Sequence, residues 1–473
     1  MRVLIVILLF LVLGSAACQP ASTNIPIPTP TIPFPIEVTT VTTTASVSPL
    51  TEEPAVSSTP ISLPDNVIRV DTFEQEVYPF VENGKCSFAE AIIAANSGVS
   101  KDSCAAGVQG EAVIELMPGE YHFTQPDGSP PQFEWLATIV RIGNALPPIA
   151  FPLTIRGSGA TLIRDEGSEP FRFLELAVNS TLTMIDITLQ NGDVGEEDWG
   201  GAIYASSASL HLNNVRFVGN RADNGGGIYL TFGALTLSDC EFIENHAYFG
   251  GGGVNLDSAK VSISKCRFAD NTTDAQGAAI ASESATLVIE DSLFLKNLNS
   301  DTRGGALYLE HVNVMVSRSE FYQNKSDFIG AAIYINNPVM SGTSDEDGNP
   351  IDQLGQSPMY IQLATMIPGY EATLEAHPSG VFQDFHENIQ IHDSCFANNI
   401  IVDPNELNFS SAILARMANA TGNYWGLSNG PSGNGSGTGD GIGRQVEFMP
   451  FLTEPPAYCD PELSAQVQEN HNK

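Results

Sequence analysis

The sequence predicts an all-β chain, a single-stranded right-handed parallel β-helix with a short N-terminal capping helix. Three observations carry this. From Gly200 to Asn336 one unit is written five times and begun a sixth: Gly, two small residues and an aliphatic anchor open it, and Phe-x-x-Asn closes it. The anchors are Ile203, Ile228, Val254, Ile280, Leu307 and Ile333. The Phe of each completed copy (Phe217, Phe242, Phe268, Phe294, Phe321) follows its anchor by 14 residues, as 217 − 203 = 14 and 321 − 307 = 14 show. Only the link from Phe to the next anchor varies, so the copies recur every 25 to 27 residues. β-rich self-similarity at that period marks a coiled solenoid, and parallel crossovers make the coil right-handed. The third observation is the punctuation, 42 Gly and 30 Pro, which many short strands and turns require.

Composition bounds the partners. The chain has 473 residues, 42% of them hydrophobic, enough for a large core, and a solenoid lets one domain run longer than a globule. Its 55 acidic and 20 basic residues give a formal charge of −35. Such a surface repels phosphate backbones, so nucleic acid is not expected as a partner, and a polyanionic glycan would need a basic patch or bound cations. Neutral glycans, divalent cations and basic protein surfaces remain open. A monomer is expected.

The N-terminus reads as export. Arg2, an apolar run from Val3 to Leu13, then Gly14-Ser15-Ala16-Ala17 and Cys18 form a secretory signal (1–18) with a small-residue processing site. Cys18 directly after Ser-Ala-Ala resembles a bacterial lipobox, which implies an acylated Cys18 as lipid anchor and the membrane as a partner through that lipid alone. Ser15 stands where a lipobox has an aliphatic residue, and ordinary cleavage with release is the alternative. The outer cell surface or the exterior is the expected location either way. Residues 19–65 alternate Pro, Thr, Ser and Val with almost no charge; they read as a disordered, extended stalk.

From Val67 the pattern changes. A strand from Val67 to Asp71 is followed by Cys86, and Ser87 with Glu90 three residues on forms a capping box for a helix from Ser87 to Asn96. Cys104 lies in the loop after it. A Cys86–Cys104 bond would close a separation of 18 residues (104 − 86 = 18), worth about 3 kcal/mol in the chain-entropy model. The run Cys86-Ser87-Phe88-Ala89-Glu90-Ala91, with Ile92-Ile93-Ala94-Ala95-Asn96 and Cys104, resembles the domain called CSLREA, found at the N-terminal edge of secreted bacterial β-helix proteins. The resemblance implies a helical cap on a β-helix and no assigned reaction; Phe88 and Ala89 stand where that motif has Leu and Arg. Ile114 to Phe123 reads as two strands about a Pro-Gly turn, completing a cap and first coil over 66–125. The β-helix proper is expected over 126–336, an insertion over 337–380, last coils and closure over 381–460, and a disordered tail over 461–473.

The Gly-Gly-Ala-Ile and Phe-x-x-Asn repeats resemble those of polymorphic outer-membrane proteins, surface-exposed β-helical adhesins, although the C-terminal membrane barrel of that family is missing. Gly422-Asn423-Tyr424-Trp425-Gly426 with Asn429-Gly430-Pro431-Ser432-Gly433 resembles the closing segment of right-handed, pectate-lyase-like β-helix proteins.

Stacking the copies turns each position into a row at about 4.8 Å spacing. The row Gly200, Gly225, Gly251, Gly277, Gly304 and Gly330 implies a turn that needs positive φ or has no room for a Cβ. The row Asn220, Asn245, Asn271, Asn297 and Asn324, extended by Asn399, is a ladder of stacked amides. Asn271 and Asn324 also fit glycosylation acceptors, but the ladder explains them. Alternation puts Arg216, Glu241, Arg267, Leu293, Glu320 and Asn214, Asp239, Lys265, Asp291, Arg318 on outward rows of mixed charge, which is scaffolding.

One face has no such explanation. Asp257, Glu283 and Glu310 fall on consecutive coils, with Ser206 and Thr231 before them, and like charges at that spacing repel. Beside them runs Tyr204, Tyr229, Asn255, Ala281, Tyr308 and Tyr334, expected to point into solvent. Tyrosines beside acids suit a glycan-binding or adhesive face. The acids are also candidate calcium ligands, or the catalytic pair of a hydrolase, since neighbouring and next-neighbour coils bracket the two carboxylate separations that glycoside hydrolysis uses. The bland alternative is an acidic row splayed into water on a structural spacer. Polygalacturonase-like motifs (Asn-Thr-Asp, Asp-Asp, Gly-His-Gly, Arg-Ile-Lys) and a lyase-like basic cluster are absent. Cys240 and Cys266 occupy one interior position on adjacent coils, open to a disulfide or to two buried thiols, and the pairing of Cys395 and Cys459 is likewise open. The acidic loop from Asp193 to Trp199 is a further cation candidate. Asp345 to Asn349 lacks the acids an EF-hand needs at Thr343 and Leu354, and Gly435 to Gly443 has the wrong spacing for a calcium nonapeptide.

Overall fold

Every coil turns its corners through residues of positive φ, and the computed structural model shows four such positions per repeat. It describes residues 66–128, 143–300, 303–336, 389–401, 413–415, 418–443 and 446–465. Cys18, the signal, the stalk, the insertion at 337–380, the Asp345 loop and the chain beyond 465 lie outside the described residues. The described strands pair in parallel, coil on coil, in three sheets, giving an all-β parallel solenoid with very little helix.

The first corner is the glycine row, with φ from +54° to +76°. At Gly251 a Cβ would run into the carbonyl oxygen of Val254, so the turn excludes a side chain for steric as well as torsional reasons. The other three corners use ordinary residues. Ser207, Phe232, Ser258, Ser284 and His311 follow the strand after the aliphatic anchor. Asn214, Asp239, Lys265, Asp291 and Arg318 stand at the next corner, with φ of 47° to 54°. Glu244, Asp270, Lys296 and Gln323 precede the asparagines. Left-handed backbone costs an L-residue about 1–2 kcal/mol. It is offset here by coil-to-coil hydrogen bonds from the same residues, such as Asp239 N–H to Ser264 O at 3.1 Å. The mixed-charge row beginning at Asn214 is therefore first a row of corners. Its charges do pair where they meet, as Arg318 with Asp291 at 2.7 Å, and Arg216 pairs with Glu241 at 2.8 Å in the other row. Both pairs are well exposed, so water and salt screen them and neither is a principal stabiliser.

Inside, the repeat's Phe rings stack face on face: Phe217–Phe242 at 4.6 Å, Phe242–Phe268 at 4.7 Å, on through Phe321–Phe396 at 5.0 Å to Trp425 at 5.1 Å. Beside them the asparagines form a continuous ladder. Each amide nitrogen donates to the next coil's Oδ1 (Asn220 to Asn245, Asn245 to Asn271, Asn271 to Asn297, Asn297 to Asn324, Asn324 to Asn399) at 2.9–3.0 Å. It also donates to a carbonyl on the preceding coil, that of Leu189 for Asn220 and that of a Phe for the rest, as Asn271 does to Phe242 O. The ladder ends on a carboxylate, with Asn399 Nδ2 2.6 Å from Asp440. Asn271 and Asn324 are fully buried and spend their amides here, which leaves nothing for a glycan to be attached to.

A second column, two residues before each Phe, is less visible in the sequence. Ser292, Ser319 and Ser394 each accept the backbone N–H of the coil before, from Cys266, Ser292 and Ser319 respectively, and each donates to a carbonyl two residues upstream. Cys240 and Cys266 are the same column in sulfur. Both are free buried thiols.

The ends are closed differently. At the N-terminus the helix is Phe88–Ser97, one residue later at each end than the sequence suggests, because Ser87 is its cap rather than its first turn. Ser87 Oγ accepts from Glu90 N–H and the Glu90 carboxylate accepts from Ser87 N–H, so the capping box is complete. Cys86 and Cys104 are disulfide-bonded. At the C-terminus Cys459 is bonded to Cys395. This holds the helix Pro461–Ala465 over Leu293, Leu295 and Tyr322, with Leu463 packed into that cluster. The one hydrophobic member of an outward charged row, Leu293, is thus covered by the returning chain, and the neighbouring Glu320 carboxylate receives Asp460 N–H at 2.7 Å.

Candidate functional site

The strands Ile203–Ser206, Ile228–Thr231, Val254–Asp257, Ile280–Glu283, Leu307–Glu310 and Ile333–Asn336 lie side by side in exact one-to-one register. Two outer rows result. One reads Tyr204, Tyr229, Asn255, Ala281, Tyr308, Tyr334, and Leu174–Leu176 extends it backwards to Glu175. The other reads Ser206, Thr231, Asp257, Glu283, Glu310, Asn336.

The three acids have unlike surroundings. Asp257 is half-buried, and its two oxygens accept the hydroxyls of Ser258 at 2.8 Å and Thr231 at 3.3 Å. Burial nevertheless pushes its carboxyl up. Glu310 accepts the Tyr308 hydroxyl at 2.7 Å and the Asn336 amide at 2.8 Å, one on each oxygen. Glu283, between them, is exposed and has no hydrogen-bond partner among the described residues. Partial burial pushes its carboxyl up, and the carboxylates of Asp257 and Glu310 push it further. Three acids one strand apart are therefore tolerated because the outer two are hydrogen-bonded and the middle one faces water.

The tyrosine row differs from expectation. Its rings lie flat along the wall instead of standing in solvent. Tyr204, Tyr308 and Tyr334 retain only 5%, 5% and 8% of their surface, and Tyr229 is half-buried. The reason is the turn that precedes each glycine. Trp199, Asn224, Gly250, Gln276, Arg303 and Ile329 form their own stacked row beside the tyrosines. Trp199 lies over Tyr229 with centroids 4.9 Å apart, and Tyr204 and Tyr229 stack at 5.8 Å with planes 2° apart. Arg303 sits over the Tyr334 ring at 5.4 Å, and Tyr334 stacks on Tyr308 at 5.4 Å. Burial pushes the Tyr204 hydroxyl up to about 12, and raises those of Tyr229 and Tyr308 as well. Between the two aromatic blocks the rows carry only Gly250, Asn255, Gln276 and Ala281. Asn255, half-buried, donates to Asn224 Oδ1 at 3.1 Å.

Sequence reasoning missed Trp199, Arg172 and Glu175. Arg172 is fully buried, pairs with Asp198 at 2.5 Å and lies over Tyr204 at 5.3 Å. Glu175 accepts the Asn144 amide at 2.9 Å, and burial holds its carboxyl above the usual range. The available signal was positional: Trp199 directly precedes the first glycine of the row, where its ring must meet the tyrosine row. Asp198 pairs with Arg172, which ties the acidic loop to the wall and leaves Glu196 and Glu197 as its exposed acids. Among the described residues no group of three or more His, Cys, Asp or Glu converges as metal ligands do. Asp440, in the nonapeptide-like segment, terminates the asparagine ladder.

Residues 175–349 match the family model described as right handed beta helix region, the stretch that contains this wall. Neither the curated proteins nor the solved structures give a match. The fold class is thus a right-handed parallel β-helix, an architecture common to surface proteins and carbohydrate-active enzymes.

Proposed function

We propose that this chain is an exported β-helix protein whose aromatic and acidic wall is a glycan-binding, adhesive surface. The observation that carries the proposal is Glu283. It is a solvent-facing carboxylate with no side-chain hydrogen-bond partner among the described residues, fixed between two carboxylates that are fully engaged, on a sheet whose adjoining row is stacked tyrosine. Such a carboxylate accepts hydroxyl or ammonium protons at little cost, and the half-buried Tyr229 with Trp199 offers an apolar surface to a sugar ring. No Lys or Arg stands in the acid row, and the net charge is −35. The ligands favoured are therefore neutral or amine-bearing glycans, not uronates or sulfated chains. Export rests on the N-terminal pattern with Cys18, and the likenesses to CSLREA caps and polymorphic outer-membrane proteins point to the same cell-surface setting. Co-sedimentation with insoluble neutral polysaccharides and chitosan tests this. Retention that Glu283→Gln weakens supports it, and no retention on any of them contradicts it.

One observation favours a second reading, a polysaccharide hydrolase. Glu283 is raised and has a carboxylate on each side, the environment of a general acid beside an ionised partner. It predicts reducing sugar released from a soluble polysaccharide and abolished by Glu283→Gln, with Asp257 or Glu310 as partner.

A further inference from the structure

Cys240 and Cys266 stand where later coils carry Ser292, Ser319 and Ser394. Their backbones are congruent: Ser238 pairs with Ser264 before them and Glu241 with Arg267 after them, and each cysteine follows a left-handed corner, Asp239 or Lys265. Register therefore sets their Cα atoms about one strand spacing apart, about 4.8 Å, inside the range of about 4.4–6.8 Å that a disulfide spans. The Cys266 sulfur already reaches towards its neighbour and accepts Cys240 N–H at 3.4 Å. The Cys240 thiol lies within reach of Ser238 O at 3.3 Å and Leu212 O at 3.5 Å as well.

We propose that Cys240 and Cys266 are an oxidation site, a buried dithiol that hydrogen peroxide converts into a third, cross-coil disulfide. One of the two thiolates attacks peroxide; an S–O bond forms, the O–O bond breaks, and the departing hydroxide leaves as water with that thiol's proton. The other sulfur then attacks the sulfenic acid; the S–S bond forms, the S–O bond breaks, and a second water carries off its proton. Two thiols lose two electrons and one peroxide becomes two waters. The oxidant class follows from burial. With 0% and 2% of their surface exposed, the thiols exclude glutathione disulfide from the folded coil and admit only a small oxidant. The product would tie two coils of the repeat to each other, where hydrogen bonds and packing alone now hold them.

The test treats the folded full chain with hydrogen peroxide or with glutathione disulfide, removes the oxidant, unfolds and alkylates, and maps the cysteine peptides by mass spectrometry. A Cys240–Cys266 linked peptide after peroxide, and two alkylated thiols after glutathione disulfide, are expected. Two alkylated thiols after peroxide, or separate sulfinic acids on each cysteine, would overturn the proposal. In Cys240→Ser and Cys266→Ser, which the serines of the same column make tolerated changes, peroxide treatment of the folded chain followed by unfolding in dimedone should label the remaining cysteine in at least one variant. Absence of label in both, with the fold intact by circular dichroism, overturns the proposal.

Discussion

Replacing Asn271 by Ala should cost the coil far more than a surface change. Asn271 makes four hydrogen bonds through its side chain. Nδ2 donates to Phe242 O and to Asn297 Oδ1, and Oδ1 accepts Asn245 N–H at 3.0 Å and Asn245 Nδ2 at 3.0 Å. Asn297 Oδ1 keeps Asn271 N–H at 3.2 Å, and Asn245 Nδ2 keeps Phe217 O. The groups left short are the Asn245 N–H, one Asn245 amide proton and the Phe242 carbonyl bond, all in an interior where the asparagines have no exposed surface. At about 1–3 kcal/mol for each of these three buried groups left without a partner, the loss is about 3–9 kcal/mol. An exposed, solvent-screened pair such as Arg318 with Asp291 sets the scale for comparison and should cost much less. Guanidinium unfolding followed by circular dichroism, with Asp291→Ala run alongside, measures both. A loss below about 1 kcal/mol in Asn271→Ala would refute the view that the ladder is a principal stabiliser.

Other predictions concern the corners, the closure and pH. Gly251→Ala should destabilise by at least about 2 kcal/mol, since it meets both a φ of +65° and the Val254 carbonyl, whereas Gly159→Ala, at +82° with open space around it, should cost only about 1 kcal/mol. Thermal unfolding separates the two. Removing the Cys395–Cys459 bond, which closes a separation of 64 residues, should cost about 4 kcal/mol in the chain-entropy model. In Cys459→Ser, Leu463→Asp should then expose the apolar patch at Leu293 to an added fluorescent probe such as ANS. The carboxyls of Glu175, Asp257, Glu283 and Glu320 are all held above the usual range by burial. The folded chain therefore binds protons at a higher pH than the unfolded chain, and stability should rise as pH falls through those raised values towards the range where the unfolded carboxyls titrate. It should fall again at lower pH, where Asp291, held low by its hydrogen bond to Arg318, is protonated. Melting temperatures that decline steadily from pH 8 to pH 5 would contradict this.

The coil was legible in the sequence because its determinants recur. A glycine that must adopt positive φ, a Phe that must stack and an Asn that must bridge coils appear every 25 to 27 residues at fixed offsets, so register follows from counting. The Ser292 column was harder to see, because its first two members are Cys and the later ones Ser, and only shared hydrogen bonding unites them. The acid row was found for the same reason as the ladders, but not its internal division. That division depends on Ser258, Tyr308 and Asn336, which reach the acids from a corner, from the neighbouring row and from the next coil. The tyrosines were placed on the correct side of the sheet, yet alternation decides only which side a residue leaves from. What lies over it is set by the turn before each glycine, where Trp199 and Arg303 occur once each and follow no period.

The claim that the wall binds glycans is tested most directly by one comparison on a glycan array. Parent protein is set against a variant carrying Tyr229→Ala, Asp257→Asn, Glu283→Gln and Tyr308→Phe together, with the fold of both checked by circular dichroism. Signal from the parent on neutral or amine-bearing glycans, reduced at least about tenfold in the variant, a loss of about 1.4 kcal/mol or more, is the predicted result. Equal binding by parent and variant would contradict the assignment of the site.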